Sequence, residues 1–257
     1  MVAGGVGGLL IGVIGTGSSL VMLPTLIFIF SGLFPEYDFL RLAVGTTVAS
    51  MTFGAVTAAI THSRASNVDV PIFRSMIIPY ILGSLTGPWM NRFMPTQWLK
   101  IYLSVILFLV GLQMLLGIFS AGEKRMEKNM QPIVMRSVFF VIATVSSLGG
   151  VASGMLAIPY LSRYSMSMQR VIGTSTTGAA VFTIAGLVGY ASAGWNMSNL
   201  PTAAIGFIYL PAFLIMSTML VICVPLGVRI AKHADDKLLK KAFGFFLLIS
   251  AAVIGLR

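Results

Sequence analysis

Four clusters of glycine and hydroxyl residues stand inside stretches that are otherwise apolar: Gly15-Thr16-Gly17-Ser18-Ser19, Gly45-Thr46-Thr47, Gly149-Gly150-Val151-Ala152-Ser153-Gly154 and Gly173-Thr174-Ser175. A helix broken at such a cluster exposes backbone N–H groups at the start of its second half. Those groups carry partial positive charge and bind anions. Serine and threonine hydroxyls add further donors. The candidate substrate-binding residues are therefore Gly15, Thr16, Ser18, Ser19, Gly45, Thr46, Thr47, Gly150, Ser153, Gly173, Thr174 and Ser175. The competing structural reading is helix packing through small residues, as at Gly4, Gly8 and Gly12 or at Gly83 and Gly87. A hydroxyl can also bond back to the carbonyl four residues earlier.

The acidic residues narrow the chemistry. Glu36, Asp38, Asp69, Glu123, Glu127, Asp235 and Asp236 all fall in loops or at segment ends. No carboxylate is placed mid-membrane to carry a proton or hold a cation. His62 and His233 lie at segment ends, and Cys223 is the single cysteine, which excludes an internal disulfide. No catalytic pair or metal-ligand spacing is present, so neither an enzyme nor a cofactor or metal is expected. Arg41 and Arg170 precede their Gly-Thr motifs by four and three residues. They are the candidates for an electropositive vestibule, against the alternative of interfacial snorkelling.

The elements that must position these groups are membrane segments. Of 257 residues, 57% are apolar and 9% charged, against about 25% charged in a soluble domain. No charge occurs between Arg170 and Arg229. The expected class is an all-α polytopic membrane protein, and the net charge of +10 is a topology signal rather than a nucleic-acid footprint. Hydrophobic segments are expected near 2–31, 40–62, 72–91, 98–120, 137–161, 171–193, 200–228 and 242–256. Trp89, Trp98 and Trp195 fall at their ends, as an interfacial belt requires. The basic run 229–241 is expected to touch anionic lipid.

The features repeat in order. Gly15 precedes Pro24 by nine residues, and Gly150 precedes Pro159 by nine. Gly45-Thr46-Thr47 returns as Gly173-Thr174-Ser175. Gly87 to Lys100 and Gly227 to Lys240 each span thirteen residues. The expected organisation is a first repeat over 1–120, a polar linker over 121–136 and a second repeat over 137–257, an internal duplication of the kind that builds transporters. Four crossings per half would make the repeats parallel and divide the basic residues 10 against 7. Re-entrant first segments, bent at their glycine motifs, would invert them and divide the charges 13 against 4. The positive-inside rule favours inversion.

The pattern resembles the TauE/SafE sulfite exporter family, also called the toluene sulfonate uptake permease family. The residues that carry the resemblance are Gly15-Thr16-Gly17-Ser18-Ser19 with Pro24, Ala43-Val44-Gly45-Thr46-Thr47, the Gly149–Gly154 run with Pro159, and Ile172-Gly173-Thr174-Ser175. The resemblance spans nearly the whole chain. It implies transport of sulfite, sulfonates or other small sulfur-containing anions, by export or uptake; an inside-negative potential, which drives anions outward, makes export across the inner membrane the expected direction. An anion channel, a carrier for another small anion or organic acid, and a proton-coupled uptake permease stay open at this point. So does assembly as a homodimer.

Overall fold

The computed structural model describes residues 18–116, 132–164, 166–231 and 236–256, with side chains described throughout these except at Ser18, Met114, 223–231 and 236–243. The expected sites Gly15 and Thr16, most of the 121–136 linker and the side chain of Ser18 lie outside the described residues.

The elements in chain order are α1 (Ser18–Leu33), α2 (Phe39–Arg64), α3 (Val70–Phe93), α4 (Thr96–Leu116), α5 (Pro132–Leu148), α6 (Gly154–Leu161), α7 (Met168–Ala193), β1 (Ala204–Ile205), β2 (Ile208–Tyr209), α8 (Leu210–Ala231) and α9 (Asp236–Leu256). By length and composition, α2, α3, α4 and α7 can each cross a bilayer. The protein is an all-α polytopic membrane protein. Its only described strands are the two-residue arms of one hairpin.

Two expectations about segments are corrected. The helix of the expected 137–161 segment begins at Pro132, where Pro at the first helical position lacks only an N–H that would be unpaired anyway. The apolar stretch 200–228 is not one span. Gly206, at φ +56°, turns β1 into β2, and α8 starts only at Leu210.

Cross-helix contacts give the directions. Arg41, near the start of α2, donates to the Asn91 carbonyl near the end of α3. The Asp69 N–H, just before α3, donates to Thr174 near the start of α7. Arg92, at the end of α3, donates to the Ala193 carbonyl at the end of α7. So α3 and α7 run parallel, and α2 runs against both. Val48 packs on Gly186 and Thr52 bonds the Thr183 carbonyl, which is antiparallel register between α2 and α7. α4 and α9 pair likewise: Ser104 faces Gly255, and Leu115 faces Gly244. The motif-bearing helices α2 and α7 are 26 residues each. Val70 and Leu210, which start α3 and α8, are 140 residues apart, as are Thr96 and Asp236, which start α4 and α9.

The 137–161 stretch is a hairpin of two helices. The Phe139 ring in α5 meets the Tyr160 ring in α6 edge-on, 5.5 Å between centroids. Had α6 continued the course of α5, about 1.5 Å of rise per residue would separate those rings by roughly 30 Å. The chain therefore turns back at Gly149–Ser153, where Gly150 adopts φ +63° against Val44 of α2.

Candidate functional site

The two Gly-Thr steps make matching joints. A Cβ on Gly45 would lie 2.3 Å from the Phe207 carbonyl oxygen, and one on Gly173 would lie 2.2 Å from that of Asn67. Beside each glycine, a threonine hydroxyl accepts an N–H from the same loop. Tyr209 N donates to Thr46 at 3.0 Å, and Asp69 N donates to Thr174 at 2.8 Å. Each loop turns through a left-handed residue, Gly206 at φ +56° and Ser66 at φ +55°. The α8 entry is thus sewn to α2 as the α3 entry is sewn to α7.

These joints alter the expected roles. Thr46 gives its own proton to the Leu42 carbonyl at 2.6 Å, and Thr47 gives its proton to Ala43 at 2.7 Å. Their donors are spent inside α2, as back-bonding in an apolar helix dictates. Ser175 differs. It is fully buried, and its hydroxyl meets no partner.

The hairpin tip is held by side chains that sequence reasoning did not single out. Past the last full turn of α5 the backbone bonds lengthen, with Gly149 N–H to the Val145 carbonyl at 3.4 Å and Gly150 N–H to that of Ser147 at 3.2 Å, and side chains add further donors. Tyr102 Oη donates to the Val145 carbonyl, Tyr190 Oη to that of Ser147, both at 2.6 Å, and Asn91 Nδ2 to that of Leu148 at 2.8 Å. Irregular backbone at membrane depth survives only when protein satisfies it in this way. The available signal was three lone polar groups inside apolar segments.

Beyond the turn, the Ala152 N–H donates to Ser19 Oγ at 2.8 Å, so the start of α1 meets the break in the second half. Ser153, which precedes α6, is fully buried and its hydroxyl caps nothing. Tyr80, also fully buried, directs its hydroxyl at Ser153 without closing a hydrogen bond, and its ring edge packs at Gly178, three residues along α7 from Ser175. Tyr80 on α3, Ser153 before α6 and Ser175 on α7, three elements that share one seam, each keep a buried hydroxyl unpaired, as do Ser84, Ser104, Ser146 and Ser217. Leaving such groups unmatched costs about 1–3 kcal/mol each, so their natural complement is a ligand with several acceptor oxygens.

Arg41 is not an open vestibule cation. It is 6% exposed, pairs with Asp38 and donates to the Asn91 and Met94 carbonyls. Its charge is neutralised and its fork clamps the start of α2 to the end of α3. Arg170 is exposed at the start of α7.

The family model described as "Sulfite exporter TauE/SafE" matches residues 1–254. The chain belongs to this family. Relatives of this TauE/SafE protein include a "Probable membrane transporter protein" of Haemophilus influenzae, 26% identical over 254 residues, which are 98% of this chain and 95% of the relative. A protein of the same description from Methanocaldococcus jannaschii is 23% identical, over 93% of this chain and 88% of its own. YdhB of Bacillus subtilis, also described as a probable membrane transporter, is 25% identical over 73% of this chain and 76% of its own length. No solved structure matches. The TauE/SafE chain is thus a multi-pass membrane transporter.

Proposed function

We propose that this TauE/SafE protein moves a small sulfur-containing oxyanion, sulfite or an organosulfonate, outward across the inner membrane. The carrying observation is a group of unpartnered buried hydroxyls, Tyr80 on α3, Ser153 at the N-terminal end of α6 and Ser175 on the neighbouring α7. Donors and a positive helix end suit a group with three acceptor oxygens. A cation would find no carboxylate there, because the acidic residues lie outside the spans.

In this reading residues 1–120 and 137–257 are inverted repeats. Support comes from the antiparallel course of α2 and α7 and from the paired joints at Gly45-Thr46 and Gly173-Thr174. Two inverted halves around one site are suited to alternating access, in which one half rocks against the other. The clamp at Arg41 and the Arg92–Ala193 bond close the end where α2 begins. With the more basic face inside, an inside-negative potential drives a dianion outward with no coupling ion, at about 2.3 kcal/mol per charge per 100 mV.

The test is ligand-induced thermal stabilisation of purified protein. Sulfite and sulfoacetate should stabilise it, and the neutral isostere dimethyl sulfone should not. Ser153→Ala and Ser175→Ala should each weaken sulfite binding ten- to a hundredfold, the loss of one hydrogen bond to a charged group, about 1.5–3 kcal/mol. Undiminished binding in both variants would remove the hydroxyl seam as the site.

A further inference from the structure

A second basic feature lies away from the hydroxyl seam. α3 and α5 run parallel, closed on each other where Gly83 meets Ala143 and Gly87 meets Ser147. Towards their starts they part, leaving a cleft of about 360 Å³ with Arg74 on one wall and Arg136 on the other. Each arginine stands four residues into its helix, so the two lie at similar height.

We propose that this cleft binds an anionic phospholipid, its phosphate held between Arg74 and Arg136 and one acyl chain laid along the wall below. The two guanidiniums are exposed, and among the described residues the one arginine–carboxylate pair is Arg41–Asp38. Asp69, the acid nearest Arg74 in sequence, caps α3 by accepting the Ile72 N–H. Two like charges on one cleft with no carboxylate among its described lining residues leave room for a bridging anion, and the planar forks of arginine match phosphate oxygens in pairs. The serines beside them, Ser75 and Ser137, already give their protons to the Pro71 and Ile133 carbonyls, so the arginines are the donors.

The rest of the cleft selects a lipid over a free phosphate. From Arg74 the wall runs to Ile78 and Leu82, and from Arg136 to Phe140 and Val141. Ile78 is 65% exposed and Val141 56%, apolar surface that no other described element covers. Arg74 to Leu82 is about 12 Å of helix rise, close to the roughly 15 Å of one leaflet's hydrocarbon. This end of α3 also lies beside Arg64, at the end of α2, on the face where the 13-charge assignment gathers its arginines and lysines. That face meets the inner leaflet, which carries the anionic headgroups. A lipid seated there braces the re-entrant α5 against the crossing α3.

The experiment is native mass spectrometry of the purified protein in mixed phosphatidylglycerol and phosphatidylcholine, read as the ratio of the two lipids retained. Wild type should retain phosphatidylglycerol preferentially. Arg74→Gln/Arg136→Gln should lower the ratio about tenfold or more, given roughly 1 kcal/mol per basic residue. Arg163→Gln, an exposed arginine outside the cleft, should leave it unchanged. Arg136→Gln alone should lower it severalfold, which keeps the test valid if the double variant folds poorly. Glycerol 3-phosphate, the headgroup without a chain, should not displace the bound lipid. An unchanged ratio in the arginine variants, an equal fall in Arg163→Gln, or displacement by glycerol 3-phosphate would overturn the proposal.

Discussion

Thr46 and Ser175 occupy neighbouring places in the two Gly-hydroxyl motifs, yet their hydroxyls do opposite things. Thr46 both donates to Leu42 and accepts from Tyr209, whereas Ser175 is buried with neither bond. Thr46→Val keeps the shape and strands the Tyr209 N–H, so it should cost about 1–3 kcal/mol in unfolding free energy. Denaturation in mild detergent reads that loss. Ser175→Ala deletes an unpaired buried hydroxyl, so its thermal stability should match or exceed wild type while its sulfite flux falls. A Ser175→Ala protein less stable than Thr46→Val would show that the assignment of joint and donor is reversed. The residue types were legible in the sequence; their division into joint and donor was not. Composition cannot tell which hydroxyl finds a carbonyl four residues back and which meets a neighbouring helix.

Among the elements, α5 and α6 show where sequence reading stops. The glycine run 149–154 marked a break, but whether the chain crossed or returned depended on partners far away in sequence. Tyr102, Tyr190 and Asn91 supply them by satisfying the carbonyls of Val145, Ser147 and Leu148. Hydropathy registers these three only as polar interruptions. Tyr190→Phe should leave the Ser147 carbonyl with only the Gly150 N–H and destabilise the fold by about 0.5–1.5 kcal/mol, the loss of one hydrogen bond, measurable as a lower midpoint in thermal unfolding. Gly173→Ala should cost a similar amount through overpacking. Its Cβ would stand 2.2 Å from the Asn67 carbonyl, backbone that cannot turn aside. Unfolding at the wild-type midpoint would mean that the 65–69 loop yields more readily than its contacts indicate.

For the whole molecule, the repeated order of motifs points to an internal duplication and the basic-residue count to its inversion. The contacts add the antiparallel course of α2 and α7, which follows from Arg41 reaching Asn91 and Asp69 reaching Thr174. The vestibule role expected of Arg41 does not hold, because Asp38, three residues earlier, neutralises it. A short separation in sequence is not itself evidence of pairing. Topology has a direct check in a Cys223→Ala background. Arg64→Cys and Arg163→Cys should label with impermeant maleimide from the cytoplasmic side, and Glu36→Cys from the opposite side. Labelling of Arg64→Cys and Arg163→Cys from opposite sides would restore parallel halves.

The most direct measurement of the central claim is efflux of sulfite or sulfoacetate from proteoliposomes under an imposed potassium-diffusion potential. An interior made negative should accelerate efflux, and collapse of the potential should slow it, as expected for net movement of negative charge through a site without carboxylates. Ser153→Ala and Ser175→Ala should keep the voltage dependence and lose most of the rate. Flux that ignores the potential and follows a pH gradient would contradict the account, and so would full flux in both serine variants.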